Sequence, residues 1–222
     1  MAIGGGGSVK TLVRIGVLAS GRGSNFEALL RAEHSGDLGA TVAVLLSDHA
    51  DAGAIEIARR HGIPAQHLQL LGRGRIAPED EAAIVRCLRA HDVGLVCMAG
   101  FMRLVGRTLL EAFPGAVLNI HPSLLPSFPG LHATEQAVAH GVKVSGCTVH
   151  IVTHRMDAGP IVAQVAVPVH EGDSGETLAS RILEQEHLLY PQAVRWWAER
   201  RLAVSGRMVH VLPAAAAREV TT

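Results

Sequence analysis

"LVRIGVLASGRGSNFEALLRAEHSG", residues 12–36, carries three signals in unbroken succession. "LVRIGVLA" (Leu12 to Ala19) is an apolar run of strand length, and "SGRGS" is a glycine-rich turn. From Asn25 onward Phe26, Leu29 and Leu30 recur at helical spacing until Gly36 supplies a stop. A strand delivered through glycines into a helix opens an α/β unit, and the cycle repeats downstream. "TVAVLLS" (Thr41 to Ser47) predicts a strand, Ala52 to Ile63 a helix, Ala65 to Leu68 a short strand, and Glu79 to His91 a helix. "GLVCMAG" (Gly94 to Gly100) and "AVLNI" (Ala116 to Ile120) predict two more buried strands. Alternation of this kind implies right-handed crossovers and a parallel sheet covered on both faces.

The pattern then changes. "SGCTVHIV" (Ser145 to Val152) alternates with period two, and "PIVAQVAVPV" (Pro160 to Val169) follows a short turn-rich link, as in a hairpin. Gly175 to Tyr190 predicts a last long helix, and "RLAV" and "MVHVL" flank Ser205-Gly206-Arg207 as a small terminal hairpin. The expected fold is α/β: a mostly parallel, Rossmann-like sheet with helices on both faces and a late antiparallel, hairpin-like extension. One domain is expected over 12–213, with a flexible glycine-rich tail over 1–11 and a disordered tail over 214–222.

Bulk composition narrows the function. The 222 residues are 48% hydrophobic and 18% charged, which suits a buried sheet and excludes a disordered chain. Twenty basic residues balance twenty acidic ones, so no basic excess drives phosphate-backbone binding and no nucleic-acid partner is expected. Cys87, Cys97 and Cys147 are widely spaced and match neither a disulfide framework nor a zinc site. Val93 to Met102, the longest uncharged apolar run, falls far short of the ~20 residues a membrane helix needs. The first eight residues lack the cationic start and apolar core of a signal peptide. A cytoplasmic protein with no membrane association is the expectation.

"ASGRGSN" (Ala19 to Asn25) lies where an α/β sheet places a phosphate, since glycines admit the anion and helix N-terminal N–H groups face it. A dinucleotide fingerprint would need glycine at Phe26, and the Gly-Lys-Ser/Thr ending of a Walker loop is absent. The loop therefore suits a single phosphate, with Gly23, Ser24 and Asn25 as ligands, or it is a tight turn capped by Ser24 or Asn25. Asp48, after the second strand, is a candidate for a ribose hydroxyl, as in NAD enzymes.

"NIHPSLLPSFPG" (Asn119 to Gly130) places three of the chain's ten prolines just past Asn119 and His121. Residues two apart on a strand share a face, and α/β sheets bind ligands at the carboxyl ends of their strands. An amide beside an imidazole suits a developing oxyanion: the amide donates to the charge, and the imidazolium supplies a cation and a proton. Prolines with fixed φ keep such a pair in place. A carboxylate would complete it. "HRMDAGP" (His154 to Pro160) offers Asp157, although Asp-x-Gly-Pro is also ordinary turn chemistry. No metal-ligand spacing and no Gly-x-Ser-x-Gly elbow occurs, so metal-independent chemistry is expected. The segment from Gly100 to Val105 ends another strand and offers apolar lining for a flat heterocycle. Glu186 falls within the arc of Leu178, Ile182, Leu189, Ala193 and Trp197. A carboxylate in an apolar stripe requires a partner, either a buried structural group or a ligand's amine or amide.

"VLASGRGSN", "AGFMRLV", "LNIHPSLLPSFPGLH", "GCTVHIVTHRMDAGPIVAQ" and "EQEHLLYP", in this order, resemble the folate-dependent formyltransferase family over about Val13 to Leu212. The closest likeness is to the members that act on glycinamide ribonucleotide. The resemblance implies formyl transfer from 10-formyltetrahydrofolate, as co-substrate, to that amine, with no metal. It implies His121 as proton donor, Asn119 beside it, and Asp157 keeping the histidine protonated and relaying protons through water. It implies Gly23, Ser24 and Asn25 as the phosphate loop and Glu186 as the acid that holds the glycinamide. Folate binding is implied for Met102, Arg103, Leu104, Val105 and Asn119, and for the His154, Arg155 and Met156 loop over the pterin. Arg75 is the match to a substrate-contacting arginine. The family often has acidic residues where His154 and Arg155 stand, and "GRGRIAPEDEAA" lacks the usual aromatic.

Small-molecule substrates and a monomer or homodimer are expected. Within the family the rivals are a methionyl-tRNA formyltransferase and a 10-formyltetrahydrofolate deformylase. Outside it they are an NAD-dependent oxidoreductase and a non-catalytic nucleotide-binding module.

Overall fold

The computed structural model describes residues 12–70 and 74–214; the tail expected over 1–11 and, beyond residue 214, the one expected over 214–222 lie outside the described residues. In chain order the elements are β1 (Val13–Leu18), α1 (Ser24–His34), β2 (Ala40–Ser47), α2 (Gly53–Arg60), β3 (Ala65–His67), α3 (Pro78–Ala90), β4 (Leu95–Met98) and α4 (Arg107–Ala112). They continue with β5 (Val117–His121), α5 (Ala133–Ala139), β6 (Val144–Ile151), β7 (Ile161–Pro168), α6 (Gly175–Ala198), β8 (Leu202–Ser205) and β9 (Met208–Val211).

Seven strands form one sheet in the order β3-β2-β1-β4-β5-β6-β7. The first five are parallel, while β6 runs antiparallel to β5 and β7 antiparallel to β6. Strands β1, β2 and β4 are apolar with little alternation, as burial on both faces requires, and their central residues are fully enclosed. The strand order reverses between β1 and β4. Connections there leave in opposite directions and open a crevice at the carboxyl ends of those strands.

The expected elements are all present, and three details differ. Helix α6 does not stop at Tyr190 but runs on through Pro191 to Ala198. A proline removes one backbone hydrogen bond, yet Pro191, Ala193 and Val194 are buried against the core, which outweighs the lost bond. Helices α4 and α5 were not expected from local pattern. The first turn of α4 is satisfied from a distance: the Glu81 carboxylate on α3 accepts the Gly106 N–H and, at 3.1 Å, the Thr108 N–H. No local cap was there to read. Among the described residues no helix is long and apolar enough to cross a membrane.

Tyr190 ties α6 to the sheet. It is fully buried, and its hydroxyl lies 2.9 Å from the Met98 carbonyl and 3.0 Å from that of Leu118, so one proton bridges the neighbouring strands β4 and β5. Tyr190→Phe keeps the ring and loses that bridge. The expected cost is about 1 kcal/mol, read as a lower denaturant midpoint with unchanged slope; an unchanged midpoint would refute the bridge.

Candidate active site

Strand β5 ends on Asn119 and His121, beside β4 in register Met98 to Asn119 and beside β6 in register Asn119 to His150. Directly opposed residues share a face, and the Asn119 Nδ2 lies 3.2 Å from the His150 Nε2. The His150 Nδ1 faces the Ile151 carbonyl at 3.2 Å.

Asp157 enters from the β6–β7 link and sits between two imidazoles. Its Oδ2 is 3.5 Å from the His121 Nδ1 and its Oδ1 3.6 Å from the His150 Nε2. The Gly130 N–H donates to Oδ2 at 2.7 Å. Asp157 holds this place with a left-handed backbone, φ 48°, a conformation aspartate tolerates better than most residues. Burial works to raise its pKa, but the His150 hydrogen bond, the charge of His121 and the Gly130 N–H outweigh burial and leave it lowered. On its other edge, the His121 Nε2 donates to the Phe128 carbonyl at 2.9 Å. The two ring nitrogens of His121 therefore face two oxygens, the Phe128 carbonyl and the Asp157 carboxylate.

The proline loop is held by more than its prolines. Thr148 on β6 donates to the Ser123 carbonyl at 2.6 Å and accepts the Leu125 N–H at 3.1 Å. Gln164 on β7 donates to the Leu125 carbonyl at 2.9 Å. Ser123 is fully buried, and its hydroxyl donates to the Ser127 carbonyl at 2.6 Å. These bonds fix the loop that supplies both the Phe128 carbonyl and the Gly130 N–H to the cluster.

A cavity of about 330 Å³ opens beside His121 and Asp157, and a smaller one of about 50 Å³ adjoins it. They share Met98, Arg103, Leu104, Asn119, Met156 and Asp157. Met102 lines the larger; Arg75, Val105, His154 and Arg155 line the smaller. The nine residues expected to bind folate thus line one continuous region. Arg75 reaches it through a parallel bridge to Leu104, and its guanidinium donates to the Val105 carbonyl at 3.1 Å. Two larger grooves, of about 670 Å³ between α1 and α6 and about 640 Å³ at the amino ends of the parallel strands, contain none of this cluster. Chemistry, not volume, picks the site.

Across the switch point, Gly23 opens α1 with φ 82°, and a Cβ there would come within 2.7 Å of the Ala54 backbone. Only glycine fits, so the loop can be this tight. Among the described residues no side chain caps α1, contrary to the capped-turn reading of Ser24 or Asn25. Asn25 is turned inward instead: its Nδ2 donates to the Glu186 Oε2 at 2.7 Å, while its buried Oδ1 has no partner among the described residues. Glu186 is 6% exposed. Burial raises its pKa, and the Asn25 hydrogen bond offsets part of that rise.

Residues 13–194 match the family model described as Formyl transferase. The chain belongs to the formyl transferase family. A phosphoribosylglycinamide formyltransferase of Bacillus subtilis (strain 168) is 44% identical over 182 residues, covering 82% of this chain and 93% of that protein. The crystal structure of glycinamide ribonucleotide transformylase 1 from Symbiobacterium toebii superposes with a TM-score of 0.87 at 51% identity, over 91% of this chain and 95% of that one. A formyltetrahydrofolate deformylase from Pseudomonas syringae superposes with a TM-score of 0.83 at 29% identity, over 92% of this chain but 67% of that one.

In this formyl transferase, the ribose reading of Asp48 is overturned as well. The Asp48 side chain is wholly enclosed, with Arg103 at 2.7 Å and His49 at 2.9 Å, and is closed to a ribose hydroxyl. His150, Thr148 and Gln164 escaped the sequence reading. Their alternation along β6 and β7 was visible, but it does not tell which β5 residue stands opposite which.

Proposed function

We propose that the chain transfers the formyl group of 10-formyltetrahydrofolate to the amine of glycinamide ribonucleotide, giving formylglycinamide ribonucleotide and tetrahydrofolate in de novo purine biosynthesis. The observation that carries this reading is the grouping of Asn119, His121 and Asp157 at the mouth of a cavity on the switch-point side of the sheet. Names of the relatives support the same acceptor.

The acceptor's amine attacks the formyl carbon, forming an N–C bond and placing negative charge on the formyl oxygen. An Asn119 N–H and the His121 cation stabilise that oxyanion. Collapse breaks the bond to the folate nitrogen, which takes up a proton as the amine loses one. Asp157 keeps His121 charged and relays the proton through water. No covalent enzyme intermediate and no metal take part. The folate lies along Met102–Val105 and beneath His154, Arg155 and Met156, with Arg75 at the rim. The phosphate rests on Gly23, Ser24 and Asn25, and Glu186 holds the glycinamide N–H groups. A single domain over residues 12–213 carries the activity. It works on small molecules in the cytoplasm, as a monomer or homodimer.

The test follows tetrahydrofolate release with each substrate present and withheld in turn. Release is expected only when both are present. Folate release without the ribonucleotide would identify a deformylase, and a spectral response to NAD in place of turnover would identify an oxidoreductase.

A further inference from the structure

Asp48 has no place in the chemistry above, yet its surroundings join the two substrate-binding segments. It follows β2 directly and its side chain is fully enclosed, with its oxygens taken up by Arg103 Nε at 2.7 Å and His49 Nδ1 at 2.9 Å. The Ser20 hydroxyl is among the groups that favour its charge. That hydroxyl in turn lies 2.9 Å from the Met102 backbone nitrogen. A backbone N–H can only donate and a carboxylate can only accept, so the direction of every bond is determined. Met102 N–H donates to the Ser20 hydroxyl, and the next residue, Arg103, donates to Asp48. A second tie, from the Ser20 N–H to the Gly100 carbonyl at 3.1 Å, runs parallel to the first.

Ser20 begins the loop that leads to Gly23, Ser24 and Asn25. Met102 and Arg103 begin the strand end that lines the cavity. These contacts therefore span the switch point: Ser20 joins the loop after β1 to the segment after β4, and a carboxylate supplied from β2 holds that segment at Arg103. Burial opposes the charge on Asp48, but the bonds from Ser20, Arg103 and His49 outweigh burial and hold its pKa below the ordinary value. An ionised acceptor makes each bond stronger than its neutral counterpart.

We infer that Asp48 is a positioning residue that sets the Met102–Val105 segment against the Gly23–Asn25 loop, so that losing its charge weakens folate and ribonucleotide binding together. This rests on the ligand assignments proposed above. An ion pair that served the fold alone would affect stability and leave both ligands indifferent.

Asp48→Asn keeps the side chain's shape and places an NH2 where Arg103 or His49 meets an acceptor. Ser20→Ala is the second variant: it breaks the link to Met102 while leaving Asp48 paired with Arg103 and His49, and so is the safer folder. Titrations with tetrahydrofolate and with glycinamide ribonucleotide, steady-state kinetics and amide exchange at Met102 would be compared across the three proteins. Expected for Asp48→Asn are a roughly tenfold weaker folate, a roughly threefold weaker ribonucleotide and a kcat within about threefold of wild type. Ser20→Ala should shift both constants in the same direction, and both variants should speed Met102 exchange about tenfold. Intact wild-type binding with unchanged constants in both variants would overturn the inference alone, as would a kcat loss as large as the binding loss. If wild type bound neither ligand, the proposed function would fall and take this positioning role with it.

Discussion

Asp157→Asn is expected to lower kcat by about three orders of magnitude while changing neither KM by more than a small factor. The substitution keeps size and tolerates the left-handed backbone at φ 48°. One amide oxygen can still accept the Gly130 N–H, so the loop has no reason to move. What disappears is the charge 3.5 Å from the His121 Nδ1. An amide there offers at best a neutral acceptor, and at worst an NH2 facing the imidazole. His121 then lacks the anion that favours its cationic form, and the formyl oxygen loses a stabilising cation. Substrate contacts outside the cluster stay, so binding should survive. A variant retaining a tenth of wild-type kcat would exclude Asp157 from proton transfer. The same carboxylate carries a pH signature. Its pKa is depressed in the folded chain, so it adds stability above its ordinary value of 3.8 and loses that contribution as pH falls through the folded value. Wild type should therefore lose more of its stability in acid than Asp157→Asn does.

The second large effect is expected at Glu186. Glu186→Gln should raise the KM for glycinamide ribonucleotide about 10- to 100-fold, the range for losing a charge-assisted hydrogen bond, with the folate KM little changed. The opposite sign is expected in stability. An acid whose pKa is raised on folding favours the neutral form in the fold, so its contribution is greatest below its ordinary value of 4.5 and is lost as pH rises through the folded value. The glutamine variant should therefore gain on wild type as pH rises, in a series of melting curves from acid to alkaline. Its amide oxygen can still accept from Asn25, which now meets Glu186 at 2.7 Å. A residue that loses stability by being charged and gains ligand affinity by the same charge is one whose burial serves binding. Parallel melting curves across pH, or an unchanged acceptor KM, would remove Glu186 from the ribonucleotide site.

Reading the chain in one dimension went far because its signals are local. The run from Leu12 through the glycines to Leu30 states strand, turn and helix within one window, and the positive φ of Gly23 shows why glycine stands there. Asn119 and His121 are close in sequence, so a strand assignment alone puts them on one face. Asp157 could be named only as a carboxylate on the right link. That it meets two histidines depends on the antiparallel register of β5 and β6, which no local pattern specifies.

By itself, then, the sequence determined the α/β class, the strand-end location of the Asn119 and His121 pair, and the need of Glu186 for a partner. Short-range periodicity and turn chemistry suffice for these. Tertiary structure alone decided that Asn25 is that partner, that Glu81 caps α4, and that α6 passes through Pro191. It also decided that Asp48 faces Arg103 and Ser20 rather than a ribose. Each of these is a long-range pairing of polar groups or a burial that overrides local propensity. Its energy depends on which distant segments the fold brings together, and a local stretch of sequence does not contain that information.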